Sequence, residues 1–499
     1  MKIDKLTDNI IRFRWLIILA VALGTAFFAF QTTKLTIDAD VLSSLPDDDK
    51  HALLLKKIGQ NFGGNRMGIV ILETDNIYQT SVIEHIRALT DTIGKINGIS
   101  SVSSISNIIN IKGSEFGIEI GRLVDEYDLP QTKEDFDRLR SNIAGNEMYK
   151  GSIVSDDETS CLVVFTLDDS ANVNKVARTV LDKTEALQLP EKLYYIGSPM
   201  LITYIAELMK NDLVMLLPIA FLLIAIILFM SFRSIKGVIL PLLSAVIAII
   251  WSLGTMSLLG FSMSMISNNI PIILLAIGSA YTIHVVNRVN QVGKSKDTDV
   301  VKSALSYVMV PVVLAAITTV IGFVSFVFGA YLDMIVDFGI FTALGTFVAC
   351  LMAIFFVPAI LAVLPKTTKQ KDLKEGNEFI EKRFLIPLKN TLFKRTKMII
   401  WIWLLAIGIS LTGIMSIQRS VDIQEYFKKG NPTREAERIM VEKFGGTKPV
   451  FVHFKGNMQS PKVLKTMIKT SEHMEKSPDV YTSMSIAKLI AEIRCVDQL

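Results

Sequence analysis

Residues 213–232 read LVMLLPIAFLLIAIILFMSF, an apolar block without one charged side chain. A helix rises about 1.5 Å per residue, so this block crosses the roughly 30 Å of bilayer hydrocarbon in a single pass. Apolar runs in soluble cores usually break at about 10–14 residues. Working outward, six further blocks have the same character: Trp15–Phe30, Val238–Leu259, Ile270–Val289, Val308–Phe328, Phe338–Leu364 and Met398–Ile417. Half of the 499 residues are hydrophobic, 20% are charged and the mean hydropathy is +0.43. The expected fold class is a polytopic α-helical membrane protein with seven transmembrane helices. A soluble globular protein is excluded.

The net charge of +4 conceals an uneven distribution. Lys2, Lys5, Arg12 and Arg14 precede span one, and Arg233 and Lys236 separate spans two and three. Arg288, Lys294, Lys296 and Lys302 separate spans four and five, and ten basic residues lie between Leu364 and Met398. The connections 260–269 and 329–337 carry no Lys or Arg. Positive residues stay on the cytoplasmic side, so every span agrees on a cytoplasmic N-terminus in the cell inner membrane, with residues 32–210 outside. The basic runs thus act in topology, and no nucleic-acid partner is expected. Phe27–Gln31 offers no small-residue cleavage site, which favours an uncleaved helix over a signal peptide. Cys161, Cys350 and Cys495 are too scattered for a disulfide framework or a metal site, so neither metal nor cofactor is expected.

An internal repeat organises the chain. Phe62-Gly63-Gly64 followed by Ile69-Val70-Ile71-Leu72 returns as Phe444-Gly445-Gly446 followed by Val450-Phe451-Val452-His453. The same offset places Asp40 on Asp422 and span one on span seven. Val102–Ser106 resembles Ser483–Ala487 with the offset slipped by one. Six spans separate the copies, so both enter the membrane in the same direction, as in transporters built from parallel repeats. The reading is one six-helix repeat plus the first helix of a second, with the second copy broken off inside its outside domain. On this reading the chain is an N-terminal fragment.

The domain boundaries follow. Residues 1–31 hold transmembrane helix one, 32–212 an extracytoplasmic α/β domain and 213–364 transmembrane helices two to six. Residues 365–397 form a basic linker, 398–417 transmembrane helix seven and 418–499 the start of a second outside domain. Within the first outside domain, Met67–Glu73, Ile99–Ile105, Cys161–Leu167 and Leu193–Ile196 have strand composition, and Ser81–Lys95 and Val173–Leu187 have helical spacing. That order fits a split βαβ sandwich of ferredoxin-like type. Met200–Asp212 reads as a helix running into span two. In the linker, Phe379, Phe384, Leu385 and Leu388 form the apolar face of a helix lying on the membrane surface.

Several segments together resemble the resistance-nodulation-division (RND) superfamily: the helix–domain–five-helix order, Phe62-Gly63-Gly64, Thr318–Phe323 in span five and Gly278–His284 in span four. The chain is similar to the hydrophobe/amphiphile exporter branch, akin to mycobacterial lipid exporters, and spans two to six resemble a sterol-sensing domain. This resemblance implies secondary active, proton-driven efflux of lipids or other hydrophobic or amphiphilic compounds, with membrane lipids as partners and room for a homo-oligomer. Two other readings stay open: a sterol-sensing or Patched-like receptor, and an accessory subunit for protein translocation. The chain contains no GxxxxGK[ST] loop and no nucleophile–base pair, so no enzymatic activity is expected.

In exporters of this kind span four carries an acidic proton-binding residue, often Asp before Tyr. The matching pair here is Ala280-Tyr281. His284 lies one turn beyond Ala280, about 6 Å along the helix, and Asn287 continues the stripe. An imidazole titrates near neutrality and can carry a proton where the carboxylate is missing. The candidate relay is therefore His284, Tyr281 and Asn287, with Thr318 and Thr319 lining a polar track opposite. The competing reading is a neutral, hydrogen-bonded His284, a packing Tyr281, and threonines that satisfy their own backbone.

Overall fold

The computed structural model describes residues 2–46, 48–62, 66–114, 117–125, 128–146, 149–292, 297–364, 383, 386–417, 430–447, 450–478, 480–488 and 490–491. The chain divides into two compact units. One joins Met1–Pro46 to Ala206–Ser420, and the other joins Asp47–Ile205 to Val421–Leu499.

The first unit contains the apolar helices. Seven are long and apolar enough to cross a membrane: Arg14–Thr32, Ser198–Phe232, Ile235–Leu258, Ser267–Val292, Val300–Gly329, Asp333–Leu361 and Thr396–Ile414. They are spans one to seven. Each matches a block read from the sequence because lipid offers no partner to a bare peptide group, so an apolar stretch must satisfy its backbone internally. Met200–Asp212 is indeed helical and continuous with span two, giving one helix Ser198–Phe232. Span five extends to Asp297.

Spans three, four and six carry most of the buried surface. Gly278 of span four sits where a Cβ would lie 3.1 Å from the Ala245 Cα of span three and 3.3 Å from the Ala349 Cβ of span six. Small residues let these backbones approach, and packing is what drives helix association in lipid. Gly339 and Gly345 meet span five and Leu274 in the same way, whereas Gly322 faces open space. Span six passes through a π-helical segment, Met352–Phe356, just before Pro358. The wider turn fits a residue that has no N–H and whose ring crowds the preceding turn.

One helix of this unit was not anticipated. Lys2–Arg12 is a separate amphipathic helix ahead of span one. Its Thr7 and Ile10 are buried, and its Asp8 pairs with Lys302 at 2.7 Å.

The second unit is built on a four-stranded antiparallel sheet. Its strands are β1 (Met67–Glu73), β2 (Ile99–Ser103), β5 (Ser160–Leu167) and β6 (Lys192–Gly197), in the order β2-β5-β1-β6. Val70 pairs with Val163 on one side and with Tyr195 on the other. The helices Thr80–Gly94 and Val173–Glu185 cover one face, where Ile83, Ile86, Leu89 and Val180 pack on Val70, Leu72 and Phe165. On the opposite face Ile71, Leu162 and Ile196 receive Ala436, Ile439, Met440 and Phe444 of the helix Pro432–Phe444. Alternate side chains of a strand point to opposite faces, so a sheet covered twice needs a continuous apolar run. Ile69-Val70-Ile71-Leu72 is that run. Gly197 closes β6 with φ +103, where a Cβ would lie 2.3 Å from the Met67 carbonyl oxygen.

The polar stretch between β2 and β5, for which no element was expected, is structured. It forms a hairpin of β3 (Ile109–Ser114) and β4 (Gly117–Arg122), then the helix Lys133–Ala144. Thr132 and Asp135 close a capping box on that helix, a signal visible in the sequence itself. Val450–His453 is not in a strand. Asp40 accepts a hydrogen bond from the Leu42 N–H and shapes the turn after span one. Phe379, Phe384, Leu385, Gly63, Gly64, Asp422 and Cys495 lie outside the described residues, while Leu388 lies exposed on the helix Ile386–Lys394.

Candidate functional site in span four

Span four separates the five candidate residues. Ala280, His284 and Asn287 form an exposed stripe, because residues four and seven apart share a helix face. Tyr281, one position on from Ala280, turns inward and is buried. Thr319 of span five stands beside it, so Tyr281 and Thr319 are brought together. His284, Asn287 and Thr318 remain on the surface of the helical unit. Both threonine hydroxyls donate to the Ala315 carbonyl, at 2.9 Å from Thr318 and 2.8 Å from Thr319. The self-satisfied backbone reading therefore holds for their protons.

The interior carries polar groups that sequence reasoning missed. The Ser244 hydroxyl of span three lies 2.6 Å from that of Thr282 in span four, and both residues are fully buried. The Ser252 hydroxyl donates to the Phe341 carbonyl of span six at 2.7 Å. The hydroxyls of Tyr281, Thr342 and Thr346 are buried without a hydrogen-bond partner. Thr342 and Thr346 sit one turn apart in an apolar span, a spacing that could have flagged them. A buried hydroxyl left unpaired is costly, and these three join the Asn268 side-chain oxygen among the unsatisfied polar atoms of the helical interior.

The sheet unit has a polar centre of its own. Lys443, from the helix Pro432–Phe444, places its Nζ 3.1 Å from Glu73 Oε1, 2.6 Å from Thr159 Oγ1 and 3.1 Å from Ser160 Oγ. Asp157 lies 3.4 Å away. The Tyr194 hydroxyl donates to the other Glu73 oxygen at 3.0 Å. Burial pushes the Asp157 carboxyl up, but donors from Ser155 and Thr159 and the Lys443 ammonium outweigh it and hold it at about 2. Elsewhere, His85 Nδ1 lies 2.8 Å from Glu191 Oε1. Among the described residues no group of three His, Cys, Asp or Glu is arranged to hold a metal. Burial pushes the Cys161 thiol up to about 12, which makes it inert rather than catalytic.

No curated protein matches this sequence. The model of the MMPL family matches residues 43–396, well over half of the chain and a range that includes the first sheet and spans two to six. An apolar bundle bearing a few buried hydroxyls, an α/β unit inserted after the first helix and this match agree, and the chain belongs to the MMPL family, a branch of the RND superfamily.

Proposed function

We propose that the protein is a secondary active exporter of lipids or other hydrophobic or amphiphilic compounds, driven by protons. It would sit in the inner membrane with its N-terminus cytoplasmic, as the basic connections favour. The family match supports transport of hydrophobic cargo. The observation that carries proton coupling is the His284–Asn287 stripe. An imidazole and an amide are exposed on a membrane helix, where polar groups are costly and usually serve function. His284 takes the proton in this reading, and the buried Tyr281, beside the half-buried Thr319, positions the helix behind it.

Two features support the finer architecture. The strand order β2-β5-β1-β6, with a helix after β1 and another after β5, is that of a ferredoxin-like domain. The helices Thr396–Ile414 and Pro432–Phe444 begin and end 382 residues after Arg14–Thr32 and Lys50–Phe62 (396 − 14 and 432 − 50), as parallel repeats require. A second reading, a sterol-sensing or Patched-like receptor without pumping, draws on Ala280, which leaves span four with no carboxylate at that position.

The test is His284→Ala in proteoliposomes carrying a pH gradient and a fluorescent lipid. Loss of gradient-driven lipid movement, with unchanged lipid binding, supports the exporter. Undiminished movement discards His284 as the coupling group, and absence of any gradient effect in the unaltered protein favours the receptor.

A further inference from the structure

The last turn of span four carries Asn287, Arg288, Asn290 and Gln291, four hydrogen-bonding side chains within five residues. Arg288 lies four residues before Val292, hence about 6 Å short of the helix end, which is headgroup height for a helix of this length. Its guanidinium lies 4.1 Å from the centroid of the Tyr307 ring, and Tyr307 belongs to the adjoining part of span five. One Nη donates to Gln291 Oε1 at 3.2 Å. The Nε is buried without a partner.

This arrangement differs from the neighbouring cation. Lys302, on the same end of the bundle, is neutralised by Asp8 at 2.7 Å. No described carboxylate pairs with Arg288, although stacking on the ring and the bond to Gln291 fix its plane. A fixed guanidinium with unused donors matches the oxygens of a phosphate, which it can engage through two bonds at once. Tyr307 is 67% exposed, and a tyrosine suits headgroup height, where its ring meets apolar chains and its hydroxyl meets polar groups. Asn287, also exposed, adds an amide on the rim.

We propose that Arg288, stacked on Tyr307, binds the headgroup phosphate of an anionic phospholipid in the leaflet on the N-terminal side. Gln291 holds the guanidinium in plane, the Tyr307 hydroxyl donates to a second phosphate oxygen, and Asn287 donates to an ester carbonyl deeper in the same lipid. The site rests on the membrane-spanning fold alone, so it stands or falls separately from the exporter reading.

The experiment is native mass spectrometry of the full chain in detergent, titrated with dioleoyl-phosphatidylglycerol or dioleoyl-phosphatidylcholine. The unaltered protein should bind one phosphatidylglycerol about fivefold more tightly than phosphatidylcholine, as expected for one charge at the headgroup surface. Arg288→Gln should erase that preference, and Tyr307→Leu should halve it or more by freeing the guanidinium. Arg288→Lys should keep only part of it, since a point charge does not reproduce the planar fork. Melting temperature in phosphatidylcholine checks folding, and Tyr307→Leu carries the test if Arg288→Gln does not fold. A preference that survives both substitutions overturns the site. So does displacement of the lipid by millimolar inorganic phosphate, which would assign the site to a soluble anion, or cross-linking of Asn287→Cys to another protein helix.

Discussion

Replacing Lys443 by Met removes one ammonium from the sheet unit while keeping most of the side-chain volume. The Lys443 side chain is 18% exposed, against 28% for Glu73 and 50% for Asp157. Breaking a fully buried ion pair costs about 3–5 kcal/mol, whereas an exposed pair contributes about 0–1 kcal/mol. Lys443 lies between these limits. After the substitution Tyr194 still donates to Glu73, and Ser155 and Thr159 still serve Asp157, which limits the loss. The Glu73 oxygen facing Lys443 loses its cation, and the Thr159 and Ser160 hydroxyls lose a charged partner. An effect near 2 kcal/mol follows, equivalent to about a thirtyfold rise in opening of the helix Pro432–Phe444 from the sheet. Hydrogen exchange reads this directly, because amides of that helix report its own local opening. Exchange there should accelerate about thirtyfold, while the helix Thr80–Gly94 on the other face keeps its protection. Acceleration below about twofold in the first helix, or equal acceleration in both, would refute the view that Lys443 is a local fastener.

Three further outcomes follow. The folded Asp157 carboxyl, held at about 2, lies below its ordinary value of 3.8, so its contribution is complete above about pH 4 and is lost as pH falls through 2. Near-ultraviolet circular dichroism of the sheet unit should stay flat from pH 8 to 4 and change only below that, and a transition near pH 6 would contradict the assignment. Gly278→Leu must push Ala245 and Ala349 apart and should cost about 1–3 kcal/mol in detergent melting, whereas Gly322→Ala, with open space around it, should leave melting within error. Cys161, fully buried with its thiol pushed up to about 12, should resist maleimide in the folded protein and label on unfolding.

Much of the fold was legible because membrane and strand signals are local. An apolar block of span length has one outcome in lipid, and β1, β5 and β6 announced themselves by runs such as Ile69–Leu72. The helix Lys2–Arg12 was not legible because its apolar residues, Ile3, Leu6, Ile10 and Ile11, are few and stand next to a longer apolar block. The helix Lys133–Ala144 was hidden by polar composition, although Thr132 and Asp135 supplied its cap. The candidate site was legible only in part. Helical spacing grouped Ala280, His284 and Asn287 correctly on one face. It gave no account of which neighbour that face meets, and it put Tyr281 in the same group although that side chain turns inward.

The sequence alone determined the number of helices long and apolar enough to cross a membrane and the α/β character of the inserted domain. Each depends on residues close together in the chain and on the cost of bare peptide groups in hydrocarbon. Tertiary structure decided which faces are covered: Lys443 reaching Glu73 across 370 residues, Ser244 meeting Thr282, and Gly278 wedged between two other spans. Periodicity names the apolar side of a helix or strand, but the partner that fills that side is chosen by packing between segments far apart in sequence.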